Sequence, residues 1–249
     1  MIISRQYVFG VIMKTFGGNK MKKFLVLLLV VLLSASILIP PTTASASFNK
    51  QKPLALMVMK FTCGCQGYGS GVAIGPFGLL TAGHNLYCKH HGKGLKSCKF
   101  LFGATSQYHG KKEYYNGFRY TVYDTFKNGY SNEWDIGFVI FKYNLGSMVG
   151  TYPRLIASDS DLNDKVGHIV GYNSSYRFTD LMSKLKVESS RVISFTEAPS
   201  LGEGGPVYLW RDEAPYVVAV YTNYSNGKYY GRRFTQDIYN DMKAEGAFD

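Results

Sequence analysis

Residues 69–84 read Gly69-Ser-Gly-Val-Ala-Ile-Gly-Pro-Phe-Gly-Leu-Leu-Thr-Ala-Gly-His84. Two short apolar runs, Ser70 to Ile74 and Leu79 to Ala82, flank a Gly-Pro turn, which is the pattern of paired strands. The second run ends on a histidine set among small residues. The same cadence continues outward. Leu54 to Thr62, Cys98 to Phe102, Phe118 to Tyr123, Ile136 to Tyr143, Val166 to Gly171, Leu185 to Phe195, Pro206 to Trp210 and Tyr216 to Tyr221 all read as strands, with Gly, Asn, Pro and Asp between them. So many short strands predict an all-β barrel or sandwich. One helix is expected at the end, with Thr235 as its cap and Ile238, Tyr239 and Met242 as its apolar stripe. Asn144 to Pro153 is the best candidate for a junction between two halves.

Composition agrees. The chain has 249 residues, 46% apolar and 18% charged, which is globular and excludes a disordered tail. Its 27 glycines and 15% aromatics suit strands joined by tight turns. Only one long apolar run occurs, so a multi-span membrane protein is excluded, and no repeat recurs.

That apolar run belongs to the N-terminus. Lys20, Lys22 and Lys23 precede an apolar core from Phe24 to Leu33, whose apolar character continues to Pro40. Ala44-Ser45-Ala46 then matches a small-x-small cleavage site. Residues 1–46 therefore read as an N-terminal extension with a secretory signal, the rival reading being one membrane anchor. Cleavage after Ala46 leaves 203 residues with no membrane span. It removes five cations and no acid, so the net charge falls from +11 to +6. Mild basicity suits an anionic cell surface and does not mark a nucleic-acid binder. A secreted or cell-wall-associated protein is expected.

Cys63, Cys65, Cys88 and Cys98 lie close together in the sequence. In an exported chain, disulfides are the leading expectation, with Cys63 and Cys65 bonding outward to Cys88 and Cys98. Zinc is the rival, since His90 and His91 follow Cys88 and the cluster holds enough sulfur and imidazole for a tetrahedral site. Neither cysteine pair has the two-to-four-residue gap of a finger, so no metal and no other cofactor is assigned.

Three segments could carry chemistry. His84 closes the second strand of the opening stretch; alone it is an ordinary polar cap as readily as a base. Glu133-Trp134-Asp135-Ile136-Gly137 places an acid before an apolar strand, which in isolation is turn chemistry. Ser200-Leu201-Gly202-Glu203-Gly204-Gly205-Pro206-Val207 is a Gly-rich loop feeding a strand, a plain turn or a nest of N–H groups. The basic-aromatic runs from Lys111 to Tyr115 and from Lys228 to Arg233 read as amphipathic strand faces.

In this order, the three segments resemble the chymotrypsin-like serine peptidases, within them the secreted bacterial glutamyl-endopeptidase branch. Thr81-Ala82-Gly83-His84 resembles the histidine motif, Trp134-Asp135-Ile136-Gly137 the aspartate motif, and Gly204-Gly205-Pro206-Val207 the end of the nucleophile motif. The resemblance spans about Leu54 to the terminal helix. It implies two six-stranded antiparallel β-barrels, the first at about 47–145 and the second at about 150–234, a helix at about 235–245, and a site in the cleft between the barrels. It also implies that Leu201, Gly202 and Gly204 form the oxyanion-hole region.

One departure dominates. Aligned on Gly204-Gly205-Pro206, the nucleophile position holds Glu203 instead of serine. A one-residue deletion drawn there removes the serine altogether. Serine works in such a triad because histidine takes its proton as it attacks, while aspartate fixes the imidazole. A carboxylate has no proton to give, and its acyl product is a high-energy anhydride. Leu201 also stands where the resemblance implies a glycine lending an N–H to the oxyanion. Glu203 is expected instead to close on His84, leaving an imidazolium between two carboxylates. Tyr221 stands where glutamate-cleaving relatives keep a histidine.

The leading expectation is thus a pseudo-peptidase that binds a protein or peptide ligand. The alternatives are an active serine endopeptidase using an unusual site, and a Cys/His zinc-stabilised binding module.

Overall fold

The computed structural model describes residues 51–104, 113–114, 117–129, 131–173, 175–200 and 202–249. The expected signal segment at 1–46 and Leu201 lie outside the described residues.

The first sheet is built from β1 (Leu54–Phe61), β2 (Gln66–Ala73), β3 (Gly78–Thr81), β4 (Tyr87–Cys88), β5 (Lys93–Phe102), β6 (Glu113–Tyr114), β7 (Phe118–Val122) and β8 (Gly137–Phe141). Their order is β4-β5-β1-β2-β3-β8-β7, with β6 beside β5. The second sheet follows with β9 (Val166–Tyr172), β10 (Phe178–Lys184), β11 (Lys186–Val187), β12 (Val192–Phe195), β13 (Pro206–Arg211), β14 (Ala214–Ser225) and β15 (Lys228–Arg233). Their order is β10-β9-β13-β14-β15-β12-β11. Every pairing within these sheets is antiparallel. Both sheets curl into barrel-like units, as expected from the sequence. Six longer strands make each unit; the two-residue β4, β6 and β11 are additions.

Apolar alternation sets which face each strand buries. Met57, Met59, Phe100, Val139 and Phe141 fill the first core, and Ile169, Ile193, Val207, Ala219 and Tyr221 the second. Leu185 to Phe195, expected as one strand, is two: the chain turns at Glu188–Arg191 between β11 and β12. β10 lacks a long apolar run because most of its residues are partly or fully exposed.

The two units interlock at Tyr172. Its buried hydroxyl accepts from Ala104 N–H at 3.0 Å and donates to Leu54 O at 3.2 Å, while its own N–H donates to Ser70 Oγ at 3.2 Å. The C-terminal helix, Gln236–Ala244, buries Ile238 and Met242, and the residues after it pack on the first sheet through Phe77 N–H to Ala247 O at 3.1 Å. Thr235 precedes this helix, yet its hydroxyl donates to the Asp237 carboxylate and caps no backbone N–H. No helix among the described residues is long and apolar enough to cross a membrane.

Candidate active site

His84 sits in a single 3-10 turn, Gly83–Asn85, directly after β3. Asp135 ends another such turn, Asn132–Trp134, just before β8. Because β3 pairs with β8, these turns meet at one end of the first sheet. Asp135 is buried and holds His84 twice. Oδ1 accepts the His84 backbone N–H at 2.8 Å, and Oδ2 lies 2.9 Å from Nδ1. Gly83 makes room, since a Cβ there would lie 3.1 Å from Asp135 Oδ1.

Glu203 arrives from the second sheet. Its carbonyl oxygen accepts from Ser70 N–H at 2.7 Å and from Asn85 Nδ2 at 3.0 Å, which ties the Gly-rich loop to the first sheet. Gly204 follows with φ of +85°, and a Cβ there would lie 2.2 Å from Ser70 O. Only glycine fits that backbone and that gap. The loop so held places Glu203 Oε2 3.5 Å from His84 Nε2. This is ion-pair distance; Nε2 is buried and makes no hydrogen bond of good geometry.

Electrostatics follows from this placement. Burial works against a charged His84, but the Asp135 charge and hydrogen bond, reinforced by Glu203, outweigh it and carry the pKa from 6.5 to about 10. Asp135 also resists ionisation through burial. The His84 charge and hydrogen bonds, then Arg232, nonetheless pull its pKa below the usual carboxylate value. The imidazole thus lies between two carboxyl groups, an arrangement that favours its protonated form.

Three glycine amides of the loop are turned inward. Gly202 N–H donates to Pro199 O at 3.0 Å, Gly204 N–H to Tyr221 O at 2.6 Å and Gly205 N–H to Gly202 O at 2.7 Å. Gly202 and Gly204 therefore already spend their donors inside the protein. Tyr221 is buried and packs against Phe195 and Tyr229, so it brings no cation to the cleft.

Two contributors escaped the sequence reading. Asn85 grips the Glu203 carbonyl and Thr81 Oγ1, the latter at 3.0 Å. Its signal was a polar side chain next to His84. Arg232, on β15, is buried near Asp135 and donates through Nε to Asn132 O at 2.6 Å. It lay in the basic-aromatic run read as a strand face.

The cysteines correct an expectation. All four are free thiols, and none is paired as a disulfide. Cys63, Cys65 and Cys88 converge, whereas Cys98 is buried on β5 with its thiol directed to Lys99 O.

No protein-family model matches the chain. A curated relative, "Extracellular metalloprotease" of Bacillus subtilis, is 23% identical over 195 residues, which is 73% of this chain and 58% of that one. The chain thus spans somewhat over half the length of that relative. Among solved structures, a Glu endopeptidase in complex with MPD superposes with a TM-score of 0.64 at 16% identity, covering 80% of this chain and 92% of that one. Protease Anisep from Arthrobacter nicotinovorans gives 0.66 at 13% identity, covering 79% and 96%. Thermostable serine protease AL20 gives 0.66 at 13% identity, covering 80% and 99%. With its two curled antiparallel sheets, its terminal helix and these neighbours, the chain has the fold of the chymotrypsin-like serine proteases.

Proposed function

We propose that this protein is an exported pseudo-peptidase that binds a peptide or protein segment in its cleft without hydrolysing it. The observation that carries the reading is the Glu203 carboxylate 3.5 Å from His84 Nε2, where a peptidase of this fold needs a hydroxyl. A base that is already protonated cannot activate a nucleophile, and a carboxylate offers it no proton to take. Export rests on the N-terminal signal pattern, and a net charge of +6 after its removal favours an anionic cell surface. Nucleic acid is not the partner.

The test is direct. The purified chain is incubated with a fluorophosphonate probe and, separately, with a mixed peptide library. The expected result is no label, no new cleavage products, and retention of a subset of peptides. Covalent labelling, or cleavage that disappears on His84→Ala, would establish an active peptidase instead.

A further inference from the structure

The hairpin between β1 and β2 closes through Phe61 N–H to Cys65 O at 2.9 Å and Gly64 N–H to Phe61 O at 2.9 Å. Gly64 has φ of +90°, so Cys63 and Cys65 flank a residue that reverses the chain. A second turn, Cys88-Lys89-His90-His91-Gly92, joins β4 to β5; His91 N–H donates to Cys88 O at 3.3 Å and Gly92 has φ of +61°. Pairing of β1 with β5 brings the two turns side by side, and Thr62 N–H and Oγ1 both donate to Gly94 O.

The result is a four-atom cluster. The sulfurs of Cys63, Cys65 and Cys88 and a ring nitrogen of His91 all lie within 4.8 Å of one another. His91 Nδ1 is 3.3 Å from Cys65 Sγ and 3.4 Å from Cys88 Sγ. Zinc bonds of about 2.3 Å to sulfur and about 2.0 Å to nitrogen place neighbouring tetrahedral ligands about 3.5–3.8 Å apart. The cluster therefore needs only small movements to close on an ion. Lys89, within the second turn, reaches away to Asn132 Oδ1 at 2.8 Å. A disulfide would consume two of the three sulfurs and strand the third beside an imidazole.

We infer that Cys63, Cys65, Cys88 and His91 bind one zinc ion as a structural clip between the β1–β2 and β4–β5 turns. Four protein ligands complete the tetrahedron and leave no open position for hydrolytic chemistry. Zinc would displace the thiol protons on binding. The clip fixes the chain just after His84, because Cys88 lies in the strand that follows the His84 turn. It is independent of what Glu203 does.

The test uses the full chain purified under reducing conditions and equilibrated with zinc, then freed of excess ion. Elemental analysis should find about one zinc per chain, and cobalt substitution should give the sulfur-to-metal charge-transfer absorption and visible bands of a tetrahedral thiolate site. His91→Ala, on an exposed turn, should weaken zinc binding at least about tenfold, and Cys63→Ser and Cys88→Ser should remove it. Cys98→Ala should keep the metal. If the cysteine variants fail to fold, His91→Ala and the cobalt spectrum decide. Zinc absent from the wild-type chain, a disulfide among Cys63, Cys65 and Cys88 by mass spectrometry, or equal zinc loss in Cys98→Ala would overturn the assignment.

Discussion

His84 Nε2 faces Glu203 Oε2 at 3.5 Å while Nδ1 lies 2.9 Å from Asp135 Oδ2, so one imidazole spans the two sheets between two carboxylates. A protease of this fold leaves that outer nitrogen for a hydroxyl. Here it meets a negative charge, which changes what the histidine can do.

The first consequence is a pH signature. The His84 pKa rises from 6.5 to about 10 on folding. The stabilisation it contributes is complete below pH 6.5 and is lost as pH rises through 10. Nitrogen-detected NMR should show an imidazolium at pH 7.5. In Glu203→Gln the transition should move to lower pH yet stay above that of a free imidazole, since Asp135 remains. A neutral His84 at pH 7 would refute the ion-pair description.

Glu203→Ser restores a hydroxyl, but position 201 still holds leucine where the resemblance implies a glycine that lends its N–H to the oxyanion. Losing one such donor costs a protease about 10²–10³ in rate. Fluorophosphonate labelling of this variant should therefore run at least about 100-fold slower than that of a glutamyl endopeptidase treated in parallel. Comparable labelling would mean that leucine at position 201 lends its N–H as well as glycine does.

Gly204→Ala should be strongly destabilising. The backbone there has φ of +85°, and a Cβ would sit 2.2 Å from Ser70 O and 2.3 Å from Thr81 Oγ1. Both strain and collision fall on packed groups, so a loss of at least about 3 kcal/mol in urea unfolding is expected. A change below about 1 kcal/mol would show that the loop does not press on β2 and β3 as described.

Tyr172→Phe removes a hydroxyl that serves both sheets. The Ala104 N–H would lose its buried acceptor and Leu54 O one of its donors. About 1–3 kcal/mol should be lost in thermal or urea unfolding, with little change in circular dichroism. An unchanged midpoint would mean that water replaces the hydroxyl at no cost.

Local patterns made much of the fold readable. Apolar runs punctuated by Gly and Pro located β1, β3, β8, β9, β13 and β14 within a few residues, and the stripe of Ile238 and Met242 located the terminal helix. β10 and β15 were not readable as core strands, because β10 carries polar and charged side chains at half-exposed positions and β15 buries Gly231, Arg232 and Arg233 in place of an apolar run. The cysteines misled for a different reason. Spacing along the chain says which thiols are near in sequence, and the strand register alone separates Cys98 from the other three.

The sequence by itself determined the strand content, the all-β class and the acid at position 203, since these depend on neighbouring residues and residue identity. The tertiary structure decided that Glu203 reaches His84, that Gly202 and Gly204 turn their amides inward, and that His91 joins three sulfurs. Each of those contacts joins residues brought together by strand pairing or by the meeting of two sheets, and no local pattern carries that distance.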